Sequence, residues 1–121
     1  MIRILVVDDE EEICNFLKEF LTGKKYEVFV ATDAAQALEL VREEHPQLVF
    51  LDIRMPQKDG VTLLQEIKAI DQTISVVMVS ALQDEELARK TLALGAEGYI
   101  TKPIDLEYLE RNILVNRILQ K

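Results

Sequence analysis

The chain has 121 residues, of which 49% are hydrophobic and 30% charged, a balance typical of one soluble globular domain. Its net charge of −8 argues against direct nucleic-acid binding, which depends on cationic side chains. The single cysteine cannot form an internal disulfide, and the longest aliphatic runs fall far short of the ~20 residues that cross a bilayer. We therefore expect one cytoplasmic domain over residues 1–121 with no membrane partner.

Two periodicities alternate five times along the chain. The first consists of short apolar runs rich in β-branched residues, and each run is followed by a segment with helical spacing. Strands that are apolar on both faces indicate a parallel sheet that is covered on both sides. The predicted strands are Ile2–Val7, Val28–Ala31, Leu48–Leu51, Ser75–Val79 and Gly98–Ile100.

The helical segments carry apolar stripes and have definable ends. Gly23 is expected to stop the first helix, and Asp33 to cap the second with Gln36 in a capping box. The fourth helix is expected to start near Asp84 and to end before Gly95. The predicted inner faces are Ile13, Leu17, Phe20 and Leu21; Ala34, Ala37, Leu38 and Val41; Leu63, Leu64, Ile67 and Ile70; Leu87, Ala88, Thr91 and Leu92; and Leu106, Leu109 and Ile113.

Five βα units with short connections predict a doubly wound α/β domain, because parallel strands need right-handed helical crossovers. The compact arrangement is a (βα)5 five-stranded parallel sheet in the flavodoxin-like order 2-1-3-4-5, with helices on both faces. Ligands of such sheets bind at the carboxyl ends of the strands, where the winding direction reverses between strands 1 and 3. The residues that follow the strands are therefore the candidate site.

Polar side chains stand at the carboxyl ends of four predicted strands. Asp8 and Asp9 follow strand 1, Asp52 follows strand 3, and Ser80 and Lys102 follow strands 4 and 5. Clustered carboxylates raise one another's pKa unless a cation lies among them. Oxygen ligands suit Mg²⁺ better than zinc or copper, and no Cys or His is expected at this edge. A metal-bound aspartate opposite a lysine is suited to handling a phosphoryl group, with the carboxylate as nucleophile.

With these residues in place, the sequence resembles the receiver domains of bacterial two-component response regulators over essentially its whole length. The most specific stretch, DIRMPQKDG from Asp52 to Gly60, looks like the phosphoacceptor loop of that family. The family's other signatures are matched in order and spacing by Asp8–Asp9, Ser80–Ala81 and Lys102–Pro103. The resemblance implies a single receiver domain over residues 1–121, either alone or as the N-terminal part of a longer response regulator.

The resemblance also implies a role for the acidic residues. Asp52 would accept a phosphoryl group from a histidine kinase or phosphotransfer protein, in a reaction that needs Mg²⁺ or, as a substitute, Mn²⁺. Asp9 would bind the metal directly, and Asp8 would bind it directly or through water. Asp52 and the backbone carbonyl of Arg54 would complete the protein ligands, while Gly60 would have a structural role in the loop.

The remaining signatures imply a switch. Lys102 would contact the phosphoryl oxygens, and its peptide bond to Pro103 is expected to be cis. Ser80 would hydrogen-bond the phosphoryl group, and Tyr99 would change rotamer as Ser80 moves, although an aromatic residue in a strand is also typical of a core. The output surface would be the face of helix 4, strand 5 and helix 5, through which the domain would control a partner, an output domain or its own homodimerisation.

Helix 5 carries more apolar residues than its core stripe needs. One interpretation is a wide inner face on a terminal helix, and the other is a dimer seam or a helix that continues into an output domain. The sequence leaves both open. The additional residues are Leu114, Val115, Ile118 and Leu119.

Two positions that vary within the family bear on the lifetime of the phosphoryl group. Arg54 lies two residues after Asp52, and Leu82 lies two residues after Ser80. Both side chains are expected to border the path of the attacking water, and neither can orient that water as an acidic or amide side chain could. This pattern predicts slow self-dephosphorylation.

Three rival functions fit less well. A haloacid-dehalogenase-type enzyme also uses an aspartate nucleophile and Mg²⁺, but it needs a second aspartate where this chain has Arg54. A flavodoxin would cradle a phosphate in its first loop, which Asp8, Asp9 and Glu10 would repel. A receiver-like module that works without phosphorylation would not need the full set of site residues. Outside that set, Cys14 is interpreted as a small buried hydrophobic residue and Glu10–Glu12 as helix-start charge.

Overall fold

The computed structural model describes residues 1–55, 58–81 and 85–119, with side chains as far as Val115. Its elements alternate strictly between strand and helix. In chain order they are β1 (Arg3–Val7), α1 (Glu11–Gly23), β2 (Glu27–Ala31), α2 (Ala34–Glu44), β3 (Leu48–Asp52), α3 (Gly60–Ile70), β4 (Ser75–Ser80), α4 (Glu85–Ala93), β5 (Gly98–Thr101) and α5 (Leu106–Leu119).

The five strands pair in parallel in the order β2-β1-β3-β4-β5, which confirms the predicted topology. The sheet separates two apolar layers, because side chains alternate between its faces along each strand. One layer packs α1 and α5 around Phe50, and the other packs α2 and α3 around Leu51. Every residue of the central strands β3 and β4 is buried, as expected for a sheet covered on both sides.

The predicted helix ends are confirmed in two cases. The Gln36 amide donates to the Asp33 side chain at 2.8 Å, and the Gln36 side chain accepts from the Thr32 amide, one residue earlier than in the usual capping box. Gly95 follows α4 with a φ of 109°. The prediction for Gly23 is wrong in its mechanism, since Gly23 is still helical and the left-handed residue is Lys25, with a φ of 70°.

Some residues predicted to face inward are exposed. Leu92 is 47% exposed, because α4 is short and turns its neighbour Thr91 into the core instead. Ile70 is 36% exposed at the last turn of α3. On α5, Leu114 and Val115 are 44% and 55% exposed, which excludes a wide inner face at those two positions. The predicted helix start at Asp84, and the side chains of Ile118 and Leu119, lie outside the described residues.

No helix within the described ranges is long and apolar enough to span a membrane.

The loop between β3 and α3 is closed against the end of its own strand. The Gly60 amide donates to the Ile53 carbonyl at 2.9 Å, and Arg54 and Asp59 form an isolated antiparallel bridge. A Cβ atom on Gly60 would lie 2.5 Å from the Ile53 Cα atom and 2.8 Å from the Asp52 carbonyl oxygen. Only glycine therefore allows α3 to begin this close to the end of β3.

Gly60→Ala is expected to lower the free energy of unfolding by about 2 kcal/mol or more, because the added methyl group meets backbone atoms that cannot rotate away. Urea unfolding followed by circular dichroism measures the change. Gly23→Ala is the matched control. Its Cβ would meet no atom within 4 Å, so this helical substitution should raise stability by about 0.5–1 kcal/mol. Equal effects at the two positions would contradict the close-approach argument.

Candidate functional site

Lys102 lies among three carboxylates at the carboxyl edge of the sheet. Its Nζ atom is 2.9 Å from Asp8 Oδ2, 3.4 Å from Asp52 Oδ2 and 3.6 Å from Glu10 Oε1. Asp8 and Asp52 are only 3% and 5% exposed, and the Lys102 side chain is also largely buried. The structure thus brings together residues from three separate strand ends, as the strand-end pattern predicts.

The two buried aspartates are held in the same way. Asp8 follows β1 and accepts the Glu10 amide on Oδ1 at 2.9 Å, while Asp52 ends β3 and accepts the Arg54 amide on Oδ1 at 3.1 Å. In each case the backbone donor lies two residues further along the chain, a common arrangement for aspartate. Each carboxylate therefore has one oxygen on a backbone amide and the other directed at Lys102.

The pairing of β4 with β5 positions Lys102 beside the two buried aspartates. Thr101 ends β5 opposite Ser80, the last residue of β4, and the Lys102 amide donates to the Ser80 carbonyl at 2.7 Å. The peptide bond from Lys102 to Pro103 is cis, as expected. Ser80 is 1% exposed, so its hydroxyl group lies inside the protein at the same edge of the sheet.

Asp9 and Glu10 extend the acidic group towards solvent. Carboxylate oxygens of Asp8, Asp9 and Glu10 lie within 4.8 Å of one another, with Asp8 buried and the other two exposed. Glu10 is the N-cap residue of α1, which agrees with its interpretation as helix-start charge, but its carboxylate also approaches Lys102, which was not predicted. Glu10 lies two residues after Asp8, which is the spacing at which an aspartate side chain accepts a backbone amide. This spacing is the sequence signal that would have placed Glu10 at the site.

Burial and neighbouring charges together shift the pKa values of Asp52 and Lys102. Burial raises the pKa of Asp52, and the charge of Asp8 adds to this, against the lowering effects of the Arg54 amide and Lys102. Burial lowers the pKa of Lys102, but the hydrogen bond to Asp8 and the charges of Asp52 and Asp8 outweigh it and leave that pKa raised. Three carboxylates surround the one ammonium group and that of Asp9 lies beside two of them, so oxygen donors are in excess and the group suits a hard divalent cation.

Cys14 is closer to the site than expected. It is the fourth residue of α1 and completely buried, as predicted, but its thiol donates to the Asp8 backbone carbonyl at 3.2 Å. Burial raises the pKa of Cys14 to about 11, and the charge of Asp8 adds to the effect, so the thiol stays protonated at neutral pH. The expectation that no cysteine lies near this edge is wrong, because α1 begins directly after the acidic loop and its first turn packs back on it.

Of the remaining predicted residues, the structure describes Arg54 and Tyr99. The Arg54 side chain is exposed beside Asp52, and Leu82 lies outside the described residues. Tyr99 is half-buried, pairs in register with Met78 and packs against the layer formed by α2 and α3. This position is compatible with a core role as well as with a switch.

A family model described as "Response regulator receiver domain" matches residues 4–114 of the chain. The chain belongs to this family. An uncharacterized response regulatory protein of Staphylococcus epidermidis is 37% identical over 126 residues, which cover 100% of this chain and 49% of that protein. This receiver domain covers only 25% of other curated relatives. It therefore spans half or less of the length of these response regulators.

Solved structures agree with this family. A CheY-like receiver domain protein of Methanospirillum hungatei has a TM-score of 0.94 and 30% identity, with 99% of this chain and 96% of that chain covered. The CheX–CheY–BeF3–Mg complex of Borrelia burgdorferi gives a TM-score of 0.87 and 32% identity, with 94% and 88% covered. The flavodoxin-like receiver fold and its place in two-component signalling are thus confirmed.

In metal-free buffer, Asp52→Asn is expected to raise the free energy of unfolding at neutral pH. Burial raises the pKa of Asp52 above its ordinary value of 3.8, so the ionised carboxylate destabilises the folded state above the folded-state pKa. As the pH falls through that pKa towards 3.8, the wild type takes up a proton and the advantage of the variant shrinks. Urea unfolding at a series of pH values measures this difference.

Asp71→Asn provides the opposite case. Hydrogen bonds from the Thr73 side chain and amide lower the pKa of Asp71, so removing its charge should lower stability at neutral pH. If both substitutions lower stability at neutral pH, burial is not the main influence on the pKa of Asp52.

Proposed function

We propose that this receiver domain accepts a phosphoryl group on Asp52 from the histidine of a kinase or phosphotransfer protein. The observation that carries the proposal is the position of the Asp52 carboxylate. It is nearly buried at the carboxyl edge of the sheet, with one oxygen on the Arg54 amide and the other facing the Lys102 ammonium group. A nucleophile held this way is oriented, while the site keeps a cation for incoming charge.

In the proposed reaction, a carboxylate oxygen of Asp52 forms a bond to phosphorus while the bond from phosphorus to the donor nitrogen breaks. The histidine nitrogen leaves with the bonding electron pair, and the product is an acyl phosphate on Asp52. Lys102 neutralises charge on the phosphoryl oxygens, because its ammonium group already lies 3.4 Å from the Asp52 carboxylate. Ser80, buried at the end of the neighbouring strand, would then donate its hydroxyl proton to a phosphoryl oxygen.

The residues that would hold Mg²⁺, or Mn²⁺ in its place, are Asp8, Asp9, Asp52 and the backbone carbonyl of Arg54. All of these donors are oxygens, and the acidic group outnumbers the single ammonium group, which fits a hard cation. When bound, the ion neutralises the oxygens of the phosphoryl group.

Phosphorylation would add about −1.5 to −2 charges to the edge of the sheet. We infer that Ser80 moves towards the phosphoryl group, Tyr99 turns into the vacated space, and the face of α4, β5 and α5 changes its preferred partner. The switch works only through the difference in stability between the two states of that face. In support, Thr91 is the one fully buried residue that α4 contributes within its described span. A helix held by so few core contacts is readily displaced.

The helix α5, which belongs to that face, offers exposed apolar surface for a partner. Leu114 and Val115 are exposed on α5, which supports either a homodimer seam or contact with an output domain. The greater length of the relatives supports the proposal that residues 1–121 form the receiver part of a longer response regulator. The domain would catalyse its own phosphorylation and dephosphorylation and no other reaction.

Incubation with acetyl phosphate and Mg²⁺ is expected to add the mass of one phosphoryl group to the wild-type protein. Asp52→Ala should show no gain, because it lacks the proposed acceptor oxygen, and a chelator should abolish the gain in the wild type. Intact-protein mass spectrometry measures all three samples. Asp71→Ala, which removes a partly exposed carboxylate that is hydrogen-bonded to Thr73, should be phosphorylated like the wild type. A phosphoryl gain that survives in Asp52→Ala would mean that another residue is the acceptor.

The phosphoryl group is expected to persist well beyond seconds in the presence of Mg²⁺. The exposed Arg54 side chain beside Asp52 cannot act as a base towards an attacking water. Arg54→Asn supplies an amide that can orient the water, and it should shorten the lifetime by about tenfold or more. Release of inorganic phosphate after loading measures both proteins. A wild-type lifetime of seconds, or an unchanged lifetime in the variant, would contradict the assignment of Arg54.

A further inference from the structure

The backbone of Asp8 is anchored on both sides. Its amide donates to the carbonyl of Ala31, the last residue of β2, at 3.1 Å. Its carbonyl accepts the Cys14 thiol at 3.2 Å, and that thiol also lies 3.9 Å from the same Ala31 oxygen. The Cys14 amide in turn donates to the Glu10 carbonyl at 3.2 Å. Cys14 thus joins the first turn of α1 to the loop that carries the acidic residues.

The carbonyl that Cys14 contacts belongs to the peptide group between Asp8 and Asp9. Because a peptide group is planar, fixing the direction of its carbonyl also fixes the direction in which the chain continues to Asp9. The Asp9 side chain is exposed, so its position depends on the backbone that carries it. The anchored peptide plane therefore fixes the point and the direction in which the backbone enters Asp9, next to the buried Asp8.

We propose that the Cys14 thiol is a positioning residue for the acidic pair, so that its hydrogen bond to the Asp8 carbonyl sets the affinity of the site for a divalent cation. The inference rests on the proposed Mg²⁺ site. Cys14 acts through the backbone and is not itself a ligand. Its complete burial means that water cannot replace the thiol when the donor is removed without a change in the loop.

Three substitutions separate positioning from packing. Cys14→Ala removes the donor while leaving a small residue in the helix. Cys14→Ser restores a donor of similar size. Ile113→Val removes one methylene group from a buried side chain of α5 in the same apolar layer and leaves the Cys14 thiol in place. For each purified protein, Mg²⁺ affinity is measured by isothermal titration calorimetry without a phosphoryl donor, and stability by urea unfolding without metal.

We expect Cys14→Ala to bind Mg²⁺ about tenfold more weakly than the wild type, at the lower end of the effect of residues that orient metal ligands. Cys14→Ser should return to within about twofold of the wild type, and Ile113→Val should lose stability with unchanged Mg²⁺ affinity. Unchanged affinity in Cys14→Ala, or the same loss in all three variants, would overturn the positioning role alone. A wild type that binds no Mg²⁺ would overturn the proposed metal site and, with it, this inference.

Discussion

The pairing of one buried ammonium group with several carboxylates is the constraint on which the rest of this structure depends. Asp8 and Asp52 are nearly inaccessible to water, and ionised carboxylates in such positions are costly unless a cation lies beside them. Lys102 supplies that cation from the opposite end of the chain. The compensation is incomplete, because the acidic residues outnumber it. This excess of negative charge at one edge of the sheet supports the proposed binding of a divalent cation there.

The parallel sheet makes this arrangement possible. Strands β1, β3 and β5 all end at the same edge, so residues far apart in sequence meet without any long loop. The hydrogen bond from the Lys102 amide to the Ser80 carbonyl fixes the backbone position of Lys102 at this edge. Gly60 has no side chain, so α3 can begin against the end of β3. Main-chain geometry therefore positions two of the segments that form the site.

Membership of the receiver family gives this charge distribution its biological setting. A site with a buried carboxylate, one lysine and surplus oxygen donors is suited to receiving an anionic group together with a cation. The output side is built differently. Within its described span α4 contributes Thr91 as its buried residue, and α5 exposes Leu114 and Val115, whereas every residue of β3 and β4 is buried. This difference supports the proposal that a change in charge at the site alters the face of α4, β5 and α5.

The sequence by itself determined the fold and the centre of the site. Strand runs that are apolar on both faces require a covered parallel sheet, and such a sheet brings Asp8, Asp52 and Lys102 to one edge whatever the details of packing. The tertiary structure alone decided the contacts of Glu10 and Cys14 and the exposure of Leu92. Hydrophobic periodicity reports which face of an element is buried. It does not report how a helix is rotated against a neighbouring loop, and these contacts depend on that rotation.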